Sequence, residues 1–156
     1  MKRALMGFVL LLCAGVAYAA SVPANFSGNW TFDPAQSKNV GMMAQGKIQT
    51  TVSQTKFTIV VDDNSAFSGQ KDTQPTVYDL TGKAVTNTSM MGGQATTRSH
   101  WEGARLITDG ESTGAIAGTV SKRVETRYLS ADGNSMYVES ARPGKDPMVI
   151  VFTKVL

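Results

Sequence analysis

The chain has 156 residues, with 15 Lys+Arg against 12 Asp+Glu, one His and one Cys. That length suits a single domain burying roughly two-thirds of the surface its unfolded chain exposes, and a lone Cys13 excludes an internal disulfide or a thiolate metal site. The charges are scattered instead of forming a basic run, so the sequence carries no electrostatic footprint for nucleic acid.

Lys2 and Arg3 precede an apolar run, Leu5 to Val16, that ends in Ala17-Tyr18-Ala19. This pattern predicts a secretory signal peptide over residues 1–19, cleaved after Ala19. The run falls short of the roughly 20 residues that span a bilayer, so no stable membrane insertion is expected after cleavage. Leu12 before Cys13 does not fit a lipidation site, which needs a small residue there. Cleavage removes Lys2, Arg3 and Cys13 and leaves 13 Lys+Arg against 12 Asp+Glu. The expected product is a periplasmic or secreted domain over residues 20–156.

From Trp30 onward, short segments rich in Thr, Val, Ile and aromatics alternate with Gly, Asn, Asp, Ser and Pro, and no long 3.6-period apolar stripe occurs. The chain is predicted all-β, with strands near 28–33, 47–54, 56–62, 75–81, 94–102, 104–110, 117–130, 134–142 and 147–155. Irregular stretches are expected at 34–46, beginning with a helical turn, and at 63–74, a polar loop. Glu102-Gly103-Ala104 and Ala131-Asp132-Gly133-Asn134 read as tight hairpin turns, since Asp-Gly supplies the positive φ that primed turns need. Pro143-Gly144-Lys145-Asp146-Pro147 breaks the chain before the last strand. In 117–130 the alternation puts Val120, Lys122, Val124, Thr126 and Tyr128 on one face and Ser121, Arg123, Glu125, Arg127 and Leu129 on the other, which is read as mostly the wet face. Met136 and Val138 share a face of the next strand. Short links between successive strands predict one up-and-down antiparallel barrel of about eight or nine strands, a closure that removes exposed edges.

Phe26-Ser27-Gly28-Asn29-Trp30-Thr31-Phe32-Asp33-Pro34-Ala35-Gln36-Ser37-Lys38 resembles the opening of small exported bacterial lipocalin-like proteins. His100-Trp101-Glu102-Gly103-Ala104-Arg105-Leu106-Ile107 and Tyr128-Leu129-Ser130-Ala131-Asp132-Gly133-Asn134-Ser135-Met136 are similar to their later landmarks. Gly28 and Trp30 match the first lipocalin motif, while Gly110 after Thr108-Asp109 and Lys154 in the last strand depart from it. The resemblance implies a barrel with one open end and a cavity for a small apolar ligand. It also implies that Trp30 closes the base against a basic side chain of the last strand.

His100 is the only histidine, and no acid, base and nucleophile converge in the sequence, so no enzyme is expected. Gly92-Gly93 lacks the Lys-Ser/Thr end of a phosphate loop, and the spacing of Asp62, Asp63 and Asp72 fits no calcium loop. Neither a metal nor a cofactor is expected. Met42-Met43 and Met90-Met91 flank glycines in predicted loops, where flexible thioethers suit ordinary packing or an apolar rim. Trp30, Trp101, Phe57, Ile59, Tyr128, Met136, Ile150 and Phe152 are assigned to the core. The expected function is non-catalytic binding of a small apolar or amphipathic molecule, with Met42, Met43, Met90, Met91, Arg98, His100 and Tyr128 as its contacts. The alternative is a structural or interaction protein of the cell envelope with a filled barrel. Nothing in the sequence specifies an oligomeric state.

Overall fold

The computed structural model describes residues 22–67, 70–71, 74–88, 93–113 and 118–156, so the expected signal segment lies outside the described residues. Among the described residues eleven strands follow one another: β1 (Gly28–Phe32), β2 (Ile48–Gln54), β3 (Thr58–Phe67), β4 (Gln70–Lys71), β5 (Thr76–Asp79), β6 (Val85–Thr88), β7 (Gln94–Glu102), β8 (Arg105–Thr113), β9 (Val120–Leu129), β10 (Ser135–Ala141) and β11 (Met148–Lys154). The sheet runs β4-β3-β2-β1-β11-β10-β9-β8-β7-β6, with β5 also on β3. Ten strands make an antiparallel up-and-down barrel wall, and β4 is a two-residue spur paired to the end of β3. The expected architecture stands, with more strands than eight or nine. Val85-Thr86-Asn87-Thr88 is too short and too polar to announce β6 by alternation, and β3 runs on to Phe67, into the stretch read as a loop.

In this antiparallel order the connections β2–β3, β5–β6, β7–β8 and β9–β10 gather at one end, the base, and β1–β2 and β10–β11 at the opposite end, the mouth. At the β9–β10 turn Gly133 has φ 72°, a conformation costly for a residue with a Cβ. Asp132 fixes this turn by accepting hydrogen bonds from the Ser130 hydroxyl and the Asn134 amide. In the β1–β2 connection Asp33 Oδ1 accepts from the amides of Ala35 and Gln36. The helical turn expected to begin at Pro34 is therefore an Asp-capped turn, and a 3₁₀ helix follows at Gly41–Gln45.

At the base, Trp30 is 1% exposed and its indole Nε1 donates to the Phe26 carbonyl at 2.9 Å. Phe26 stacks on Trp101 with centroids 5.9 Å apart. Lys154 Nζ lies 5.6 Å from the centroid of the Trp30 ring, so the last strand does supply the basic side chain. Ile59, Leu106, Met136 and Phe152 complete this apolar plug. Two residues assigned to the core lie elsewhere. Phe57 sits in the β2–β3 turn, 58% exposed with Lys56 Nζ 5.5 Å from its ring centroid, because the turn swings it off the inward face that begins with Ile59. Tyr128 lies on the outer wall.

One seam of the barrel lacks a backbone ladder among the described residues, that between β5 and β6. The side-chain amide of Asn87 bridges it, accepting from the Val77 amide and donating to the Val77 carbonyl, both at 2.9 Å. A carboxamide thus mimics one residue of a neighbouring strand. Asn87→Ala is expected to lower stability by about 1–2 kcal/mol and to speed hydrogen exchange at the Val77 amide selectively. Unchanged exchange there would show that the seam is held by other means.

Candidate functional site

Register across the β9–β10 hairpin determines what faces the interior. Met136 lies opposite Leu129, Val138 opposite Arg127 and Ser140 opposite Glu125, and directly opposed residues share a face. Met136 and Val138 belong to the buried core, so Leu129, Arg127, Glu125 and Arg123 project inward as well. This overturns the reading of that set as the wet face. Arg127 is 5% exposed and Glu125 8%, while Val124 of the other set is 42% exposed. The physical reason is that these inward polar groups satisfy one another, so apolarity does not mark the inner face of β9.

Arg127 Nη2 donates to Glu125 Oε1 at 3.0 Å. The same guanidinium lies 5.3 Å from the centroid of the Tyr78 ring, so it spans the interior from β9 to β5. Asp63 on β3 accepts from the Thr50 hydroxyl at 2.6 Å. The hydroxyls of Ser99 and Thr108 pair at 2.8 Å on the inner faces of β7 and β8. Thr97, one inward position from Ser99, is buried and its Oγ1 has no hydrogen-bond partner. Gly110 lies opposite both Thr97 and Arg123 in the ladder. A Cβ at Gly110 would stand 3.3 Å from Cγ and Nε of Arg123, so the glycine leaves room for the arginine to lie across the inner wall.

The electrostatics follow from this arrangement. Burial pushes the Tyr78 hydroxyl up to about 12, and the negative charge of Glu125 adds to the effect. Burial opposes the charge of Arg127, but Glu125, Tyr78 and Asp63 outweigh it and hold the guanidinium protonated. Asp63 is exposed on its residue surface, yet desolvation by the surrounding wall raises its carboxyl above 3.8, with Thr50 and Arg127 opposing. Both observations describe an inward side chain in a compartment that water reaches from the mouth. The folded state holds the Asp63 proton more tightly than the unfolded chain does. Its stabilising contribution is therefore full below about pH 3.8 and is lost as pH rises through the higher folded value. Asp63→Asn is expected to raise the urea midpoint at pH 7 and to leave it unchanged at pH 3, and a lower midpoint at pH 7 would contradict this account.

The residues expected to contact a ligand are placed differently. Met42 lies in the 3₁₀ helix at the mouth, 73% exposed, with Met43 half-buried beside it, whereas Met90 and Met91 lie outside the described residues. Arg98 faces outward and donates to the Gly82 carbonyl at 2.7 Å. His100 also faces outward, 3.3 Å from Glu102. Tyr128 stacks on Tyr137 with centroids 5.0 Å apart, carries the Arg105 guanidinium over its other side at 4.5 Å, and donates to Glu139 at 2.5 Å. Burial and that hydrogen bond push its hydroxyl up to about 12. Gly28 and Trp30 are at the base. None of Arg98, His100 and Tyr128 faces the interior, while Asp63, Tyr78, Thr97, Arg123, Glu125 and Arg127 do.

An open concavity of about 810 Å³ lies against the β7–β10 wall, its lining including Thr97, Gly110 and Arg123 together with Arg98, Asp109, Glu111, Lys122 and Arg142. Its charges are partly spent, Lys122 on Glu111 at 3.0 Å and Arg98 on the backbone. Arg123 and Thr97 of the inward cluster belong to its lining, whereas Arg127, Glu125, Tyr78 and Asp63 do not. Among the described residues no three His, Cys, Asp or Glu side chains gather in a way that could hold a metal ion.

No protein-family model matches the sequence, and no curated protein matches it. Solved structures do match the fold. Apo lipid binding protein 8 of Caenorhabditis elegans aligns with TM-score 0.63 at 13% identity, over 83% of this chain and 95% of that one. Human cRBP IV aligns with TM-score 0.61 at 16% identity, over 85% and 100%. A Schistosoma mansoni fatty acid binding protein in complex with arachidonic acid aligns with TM-score 0.61 at 12% identity, over 84% and 96%. At these identities the likeness establishes the fold, an up-and-down antiparallel β-barrel.

Proposed function

We propose that this chain is an exported, non-catalytic carrier of a small amphipathic molecule, whose polar head meets the interior cluster around Arg123, Arg127, Asp63 and Thr97. The observation that carries this reading is the placement of charged and hydroxyl groups from β2, β3, β5, β7, β8 and β9 inside the barrel, one of them a buried hydroxyl without a partner. Burying such groups costs free energy that an apolar lining would not, which makes a ligand-recognition role the simplest reason for their presence. Barrels of the same fold include proteins described as binding lipids or fatty acids, which supports an amphipathic ligand. The exposed Met42, with Met43 beside it, would form an apolar rim over the entering tail. The signal read over residues 1–19 supports export, and N-terminal sequencing of the protein from its source would locate the cleavage.

Native mass spectrometry of the protein purified from its source tests the carrier reading. A bound small molecule, lost on organic extraction and restored on re-addition, is the expected result. One observation favours the alternative, a filled barrel acting through its surface. Arg127 of β9 reaches the Tyr78 ring of β5, which fills the interior at that level. If the protein flies ligand-free from every preparation and takes up no amphiphile, that reading replaces the carrier.

A further inference from the structure

The interior holds two kinds of charge. Arg127 and Glu125 neutralise each other at 3.0 Å, both shielded from water. Arg123 and Asp63 form no ion pair among the described residues. Arg123 shares the inward parity of Arg127 on β9, and Asp63 on β3 stands opposite the buried Thr50 that bonds it, so both project into the barrel. Each has a neutral helper in place. Thr50 donates to Asp63, while the buried, unpartnered Thr97 hydroxyl stands across Gly110 from Arg123.

We propose that the ligand carries a zwitterionic head group, its anionic oxygen taken by Arg123 and Thr97 and its cationic part by Asp63. This rests on the carrier reading above. A bare carboxylate would satisfy Arg123 but stand in the field of Asp63 and Glu125. A bare ammonium would satisfy Asp63 but face Arg123 and Arg127. A neutral alcohol would leave both charges unmatched on entering, and desolvating an unpaired charge is the expensive event. A head with one charge of each sign pairs both and leaves the interior neutral. Discrimination then comes from the mismatch that each singly charged analogue suffers.

The test is isothermal titration calorimetry of the purified protein with dodecylphosphocholine, laurate, dodecyltrimethylammonium and dodecanol, which share one alkyl chain, each below its micelle concentration. Dodecylphosphocholine is expected to bind roughly tenfold or more tightly than any of the others, a difference of about 1.4 kcal/mol. Asp63→Asn should weaken dodecylphosphocholine and strengthen laurate, and Arg123→Gln should weaken dodecylphosphocholine and strengthen dodecyltrimethylammonium. Laurate binding as tightly as dodecylphosphocholine to the unaltered protein overturns the zwitterion while leaving the carrier standing. Failure of all four to bind overturns the carrier itself. The ranking on the unaltered protein is decisive even if a variant does not fold.

Discussion

Arg127→Met is expected to remove about 3–5 kcal/mol of folding free energy, a large part of the roughly 5–15 kcal/mol available to a domain of ordinary stability. The loss comes from what remains. Glu125, 8% exposed, stays buried in the field of Asp63 with its ion-pair partner gone. The apolar stem of methionine preserves most of the packing volume, so the measured loss reports charge and not a cavity. The double variant Glu125→Leu, Arg127→Met removes both charges at once, and is expected to return to or exceed the original stability, because an apolar pair of similar volume carries no desolvation penalty. Urea unfolding of the two single variants and the double variant gives the coupling directly. A double variant as unstable as Arg127→Met would show that the pair is a structural member of the interior. Recovery would show that the barrel stands without it, and that its retention calls for a role in binding.

The contrast between fold and site explains how far the sequence could be read. The meander was legible because its turns carry their own chemistry. Asp132-Gly133 closes the β9–β10 hairpin, Gly103 the β7–β8 hairpin, and the Pro143 to Pro147 stretch separates β10 from β11. The base was legible because Gly28-Asn29-Trp30 places a large aromatic on the first strand, and Lys154 answered it from the last. The site was not legible, because it consists of residues whose polarity points the wrong way. On β9 the valines Val120 and Val124 face water and Arg127 and Glu125 face in, so hydrophobicity assigns the strand's two faces in reverse. A usable signal was nevertheless present. Met136 and Val138 mark the inner face of β10, and carrying their parity through the short Ser130 to Asn134 turn assigns Leu129, Arg127 and Glu125 to the same side. Asp63 was hidden for another reason, since the acidic, polar run after Val61 resembles a loop although it continues β3. Arg98, His100 and Tyr128 are polar side chains on well-formed strands, and polarity alone does not tell which face of the wall they occupy.

Trp30→Ala is expected to cost about 3–5 kcal/mol, and the neighbours of the indole explain why the upper end applies. The ring is 1% exposed within a cluster that includes Phe26, Phe32, Met136 and Phe152, and the barrel wall around it, paired on both sides through β2 and β11, cannot collapse into the void. The Phe26 carbonyl would also lose the indole donor it now accepts at 2.9 Å, and Lys154 the ring beneath its ammonium group. Trp30→Phe separates these contributions. It keeps an aromatic body in the plug but removes the donor, leaving a buried carbonyl unpaired, and should cost about 1–3 kcal/mol beyond a small packing loss. The base lies at the opposite end of the barrel from the mouth, with Arg127 and Tyr78 meeting between the walls. Trp30→Phe should therefore lower the urea midpoint while leaving the order of amphiphile affinities unchanged at temperatures where the protein is folded. A reordered series would mean that the base plug and the interior cluster are coupled, and that the tail of the ligand reaches the indole.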